Sequence, residues 1–152
     1  MDVPAYPKPL LITDAAVNSE PDLEAKREIV QNAIELALAL SINDPKVAIL
    51  AAAETVDPKM RSTVDAAALC KMAERGQIRG GVVDGPLALD NAVSLVAAKT
   101  KGIASAVAGQ ADILVVPDLE SGHILARQLE YLADGASAPC RGWSSPPRGK
   151  GC

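Results

Sequence analysis

Short apolar runs of β character alternate with longer stretches of helical period through the first 138 residues. Pro9-Leu10-Leu11-Ile12-Thr13 predicts a strand that stops at Asp14. Ser19 or Asp22 can open a helix, with Pro21 in a permitted first-turn position. That helix runs from about 22 to 40. Ile29, Val30, Ala33, Ile34, Ala37, Leu38 and Leu40 form its apolar face, and Glu24, Lys26, Arg27, Glu28 and Gln31 its wet one. Lys46 through Ala52 is nearly all apolar, the pattern of a parallel strand covered on both faces. Ser62-Thr63-Val64-Asp65 predicts a helix start, the helix spans about 63–75, and Gly76 sits where a left-handed cap belongs. Gly81-Val82-Val83-Asp84 reads as a short strand broken by Gly85-Pro86. Leu89 to Ala98 reads as one helix, closed near Gly102. Ala111 to Val116 is a buried strand stopped by Pro117-Asp118, and a helix over about 120–133 follows, with Gly135 as its stop.

Four strand–helix repeats predict an α/β fold: a mainly parallel sheet with helices on both faces. In such sheets ligands lie beyond the carboxyl ends of the strands. Here those ends are Asp14-Ala15, Ala53-Glu54-Thr55, Asp84-Gly85-Pro86 and Pro117-Asp118-Leu119-Glu120.

Composition removes several classes. The chain has 152 residues, 49% of them hydrophobic, so it can build a core. Its formal charge of −4 and its three aromatics disfavour nucleic-acid binding. No apolar run approaches a membrane span, and the N-terminus lacks the pattern of a signal peptide. Three cysteines without a CxxC fit a reducing, cytoplasmic setting. With one histidine and no cysteine pair, no metal site is expected. Residues 139–152, PCRGWSSPPRGKGC, differ in kind: they carry +3, against 12 basic and 19 acidic side chains (−7) before them. They keep no helical or strand period and read as a disordered or foreign basic tail rather than an interaction arm.

There is no P-loop, no GxGxxG after a strand and no GxSxG elbow. His123 reads as a solvent-facing residue and Cys70 as a packed, inert thiol. Asp84-Gly85-Pro86 places a carboxylate at the sheet rim, before a residue free to take positive φ and then a rigid one. An ordinary turn would read the same way. Asp118 caps the following helix, which alone accounts for an Asp there. Ser121-Gly122 could offer N–H groups to an anion, opposed by Glu120. Lys8, Lys59, Arg61, Lys99 and Lys101 could hold phosphate or be solvated charges.

Taken in order and at their spacings, certain segments resemble the phosphate acetyltransferase/phosphate butyryltransferase family over about residues 3–138. They are Val47–Leu50, Glu54-Thr55-Val56, Ser62–Met72, Arg75–Ile78, Val83–Ser94, Lys101-Gly102-Ile103, Ala108-Gly109 and Ala111–Gly122. The likeness is to the butyryltransferase-like branch, including the form fused behind an enoyl-CoA-hydratase-like domain. The resemblance implies a fold like that of isocitrate and isopropylmalate dehydrogenases, with two α/β domains around a cleft. It implies acyl transfer between coenzyme A and phosphate, with acyl-CoA and phosphate as substrates, no cofactor or metal, and a homodimer in the intact family. It carries over Asp84 and Asp118 as catalytic residues, and Gly85, Pro86, Ser121 and Gly122 as substrate-binding ones. Family members are about twice as long. They continue past Ala138 to a Thr-Ser-Arg-Ala-Asp-like segment that this chain replaces with its tail, and His123 stands where they carry Asn. The chain is therefore expected to be an incomplete, inactive acyltransferase. Two other readings stay open: a non-catalytic CoA- or partner-binding domain, and a metal-dependent 2-hydroxy-acid dehydrogenase of related fold.

Overall fold

The structure, a computed structural model, describes residues 1–137; the 139–152 tail lies outside them. In order, the elements are β1 (Leu11–Thr13), α1 (Leu23–Ala39), β2 (Lys46–Leu50), α2 (Arg61–Glu74), β3 (Val82–Leu87), α3 (Leu89–Val93), α4 (Leu95–Thr100), β4 (Ile113–Val115) and α5 (Leu119–Tyr131). The four strands form one parallel sheet in the order β1-β4-β2-β3.

The continuous apolar runs fall where theory puts them. β2 and β4 are central and buried, with the edge strands outside them. Alternate side chains serve two cores. Val47, Ile49, Ile113 and Val115 pack with Val30 and Ile34 of α1 and with Ala66 and Leu69 of α2. On the opposite face Ala48, Leu50, Leu114 and Val116 pack with Ala92, Ala98 and, from α5, Leu125 and Leu129. The helix faces follow from handedness. The β1-to-β2 and β2-to-β3 crossovers run one way across the sheet and use one face. The β3-to-β4 crossover runs back and uses the other. α2 leaves β2 on one side and α5 leaves neighbouring β4 on the other, which makes their carboxyl ends the topological switch point, the place where sheets of this kind form a ligand crevice.

Local signals set most boundaries. Asp22 caps α1 by accepting from Ala25 N–H at 2.8 Å, and Gly76 adopts φ +76° after α2. Three expectations change. β3 is not broken at Gly85-Pro86; it runs through to Leu87, with a register shift against β2 that takes up the extra residue. The helix expected over 89–98 is two short helices meeting at Ser94, whose hydroxyl accepts from Ala97 N–H and starts the second. Lys26, placed on the wet face, is only 5% exposed: its ammonium lies 2.7 Å from Asp65 of α2, itself 7% exposed. Helical period cannot reveal a counter-charge on another helix.

Residues 1–10 form a strap along the amino edge of the sheet. The Met1 amine donates to Leu10 O, Asp2 bridges to Ala136, and the Tyr6 hydroxyl donates to Ala111 O at 2.8 Å. Burial pushes the Tyr6 hydroxyl up to about 12, so it stays a donor.

Candidate functional site

The carboxyl edge gathers the loop segments after all four strands, but their acids do different things. Asp14 is consumed locally: its carboxylate accepts N–H groups of Ala16, Val17 and Asn18, and the Asn18 amide at 2.7 Å. It builds the β1–α1 turn.

Asp118 stands beyond β4 as the N-cap of α5. Its Oδ1 accepts Ser121 N–H at 2.8 Å and Ser121 Oγ–H at 2.6 Å. These bonds, the hydroxyl first, hold its carboxyl below the usual range, helped by the Lys26 charge. Asp118 is therefore a fixed anion at neutral pH and a poor proton acceptor. The neighbouring N–H groups are also occupied: Leu119 N–H donates to Ser19 O, and Gly122 N–H to Asp118 O. The expectation that Ser121-Gly122 offers free N–H groups to an anion is not met, because Asp118 takes both, one on its carboxylate and one on its backbone carbonyl. Gly122 is required for a different reason. A Cβ there would lie 2.6 Å from Val116 Cγ2 and 3.0 Å from Ala15 Cα, so only glycine lets α5 start against that loop.

Replacing Asp118 with Ala is expected to cost about 1–2 kcal/mol at pH 7, as loss of a helix cap does. Because folding lowers the pKa of this carboxyl, its contribution is present above the unfolded pKa of about 3.9 and fades as pH falls through the folded value. Melting curves of the two proteins should draw together progressively as the pH is lowered from about 4.

Asp84 lies within β3, opposite Ala48, and its Oδ1 accepts Gly85 N–H at 2.9 Å. It is not at the strand tip. Through Ala48 it is level with Leu114, two strands away across the sheet, whereas Asp118 lies four residues further along, beyond the end of β4. They do not form one acid pair. Gly85 does not take positive φ. It is glycine because a Cβ would sit 2.7 Å from Ile49 O of β2. The Gly85–Pro86 bond is cis, and Pro86 is buried. Cys70 donates to Gly85 O, and burial pushes its thiol up to about 12, as expected of an inert cysteine. His123 is exposed.

Among the cations, Lys8 pairs with Asp112 at 2.7 Å, at the start of β4 and away from the crevice. Arg61 adds a second cation to Asp65 at 3.5 Å. The carboxyl-edge cluster that sequence reasoning did not assemble is Glu54, Asp90, Asn91 and Lys101. The Lys101 ammonium lies 2.8 Å from Glu54 and 3.1 Å from Asp90, and the Asn91 amide donates to the same Glu54 oxygen. The Lys101 bond lowers Glu54 and Asp90 and raises Lys101, so all three stay charged. Asn91 itself is wholly buried, and its backbone oxygen accepts Gly109 N–H at 2.7 Å. Residues 54, 91 and 101 are too far apart in sequence for spacing to join them; the signals were the rim position of Glu54 and the loop position of Lys101. Among the described residues no three His, Cys, Asp or Glu side chains come together as a metal set, and no helix is long and apolar enough to cross a membrane.

Comparison with known proteins places this geometry. A family model described as "Phosphate acetyl/butaryl transferase" matches residues 3–139. The chain is 62% identical to a phosphate acetyltransferase of Rhizobium meliloti over 138 residues, covering 91% of this chain and 44% of that protein. It is 54% identical to a probable phosphate butyryltransferase of Bacillus subtilis, covering 90% and 46%. The crystal structure of a branched-chain phosphotransacylase from Enterococcus faecalis V583 superposes with a TM-score of 0.80 at 39% identity, covering 88% of this chain and 47% of that one. The chain thus spans less than half the length of these relatives.

Proposed function

Because this chain belongs to the phosphate acetyl/butyryl transferase family, we propose that it forms one wall of a crevice for acyl transfer between coenzyme A and inorganic phosphate. In that reaction a phosphate oxygen attacks the thioester carbonyl, the C–S bond breaks, and the departing thiolate takes up a proton. Acyl phosphate and coenzyme A result, and neither a metal nor a further cofactor enters the balance. The supporting observation is the topological switch point at the carboxyl ends of β2 and β4, where such sheets place their ligands, with the Asp118–Ser121 cap following β4 and the Glu54 loop following β2.

In this reading Asp118 acts as a fixed charge beside the reacting groups, with Ser121 and Gly122 shaping the start of α5 around the substrate. Asp84, Gly85 and Pro86 serve the outer flank at β3. The opposite wall comes from a second α/β domain, in an arrangement like that of isocitrate and isopropylmalate dehydrogenases. The setting is cytoplasmic and the complete enzyme a homodimer. Positioning of two substrates between two walls supplies much of such a rate, so one wall alone should be nearly inert. A coupled assay of acyl-CoA formation from acyl phosphate is expected to show turnover more than about 10²-fold below an intact relative, about 2.7 kcal/mol of barrier. A rate within that factor would sink the half-crevice reading.

A further inference from the structure

A buried ion pair lies beneath the rim of the sheet. The Lys26 ammonium of α1 is 2.7 Å from the Asp65 carboxylate of α2, and both residues are buried. Burying two charges is costly, and an apolar pair would pack as well, so the pair calls for a reason beyond packing.

The topology supplies one. α1 and α2 follow β1 and β2, so both begin at the carboxyl edge. Lys26 and Asp65 stand about one turn into their helices: Lys26 N–H donates to the carbonyl of the cap residue Asp22, and Asp65 follows four residues after Arg61, where α2 starts. β4 lies between β1 and β2, and both helices cover the face that carries Val115 at its end. A bridge between their first turns therefore crosses the carboxyl end of β4, under the segment leading to Asp118. The same corner is fastened by Ser19, ahead of α1, whose carbonyl accepts Leu119 N–H at 3.2 Å.

Charges alternate along this line. Arg61 Nε is 3.5 Å from the Asp65 oxygen that Lys26 also holds, so Asp65 is shared between two cations and Lys26 can serve a second anion. After its bonds to Ser121, the Asp118 carboxyl is lowered by the charge of Lys26, ahead of the Glu120 N–H. Glu120 on the same helix and Asp14 in the facing β1–α1 loop are acids and supply no counter-charge.

We propose that Lys26 is a positioning residue: its ammonium, carried by Asp65 across the end of β4, holds Asp118 as the charged cap of α5 at the switch point. What that charge does to a substrate rests on the acyltransferase reading above; the link between Lys26 and Asp118 does not.

The test reads two signals of the full chain by NMR: the Lys26 ammonium in mildly acid solution, and the Asp118 carboxyl carbon through a pH titration. Asp118→Asn, which removes the charge and keeps the shape, is expected to shift the ammonium signal. Ser121→Ala, which keeps the charge, should shift it less. The double replacement Lys26→Met, Asp65→Leu should move the Asp118 midpoint upward, because a carboxylate loses a nearby cation. Lys26→Arg should hold it near the parental value, and Ile34→Val, an uncharged loosening of the same helix, should leave it in place. An ammonium signal indifferent to Asp118→Asn overturns the proposal. So does an Asp118 midpoint unmoved in the double variant, or moved equally by Ile34→Val. The ammonium measurement changes neither Lys26 nor Asp65, so it decides even if variants of that pair fail to fold. Neither signal involves substrate, so failure of coenzyme A to bind would sink the acyltransferase reading alone.

Discussion

Replacing Lys26 with Met is expected to destabilise the fold by about 3–5 kcal/mol, the range for removing one partner of a buried ion pair. The loss would come chiefly from Asp65, left as a buried carboxylate with only Arg61 nearby. That residue approaches at 3.5 Å through Nε, and its side chain is 63% exposed. Partial rescue by Arg61 would move the loss toward the lower end of the range. The double replacement Lys26→Met, Asp65→Leu should recover most of it, since an apolar pair of similar volume often equals a buried ion pair. Urea unfolding of the two variants and the parent decides the matter. A loss below about 1 kcal/mol for Lys26→Met would mean that Arg61 alone satisfies Asp65.

Gly85→Ala should cost about 1–3 kcal/mol, as overpacking does in a close-fitting interior. The added methyl would meet Ile49 O at 2.7 Å and Ile49 Cβ at 2.8 Å, and neither can step aside without moving β2. β3 must therefore draw away where it carries Asp84, and the Cys70 bond to Gly85 O should be lost. Thermal melting measures the cost. Faster amide exchange confined to the β2–β3 ladder would locate it, and a change spread evenly over the sheet would contradict the mechanism.

The order of elements was legible because β2 and β4 are buried on both faces and say so in unbroken apolar runs. The caps at Asp22 and Asp118 and the turn at Gly76 were legible because each uses chemistry local to a few residues. What escaped was nonlocal. Lys26 looks like a wet-face residue until α2 brings Asp65 against it. Gly85 reads as a turn residue, because the close approach of Ile49 that requires glycine is made across the sheet. Leu89 to Ala98 shows a sound helical pattern, yet a Cβ at Gly109 would sit 2.5 Å from Leu95 N, which shows how tightly the loop before β4 presses on the break at Ser94. The candidate site divides the same way. Asp118, Ser121 and Gly122 are neighbours in sequence and were found together. Glu54, Asn91 and Lys101 meet only after β2, α3 and α4 have packed.

The bridge between Asp2 and Ala136 fastens both ends of the described fold at the margin remote from the crevice. Any polypeptide emerging there can reach the reaction zone only by travelling up the layer once more. The flank of β1 away from β4 has no partner strand among the described residues. One clasp between two backbone segments thus holds both ends of the described chain at the edge of the sheet opposite Asp118.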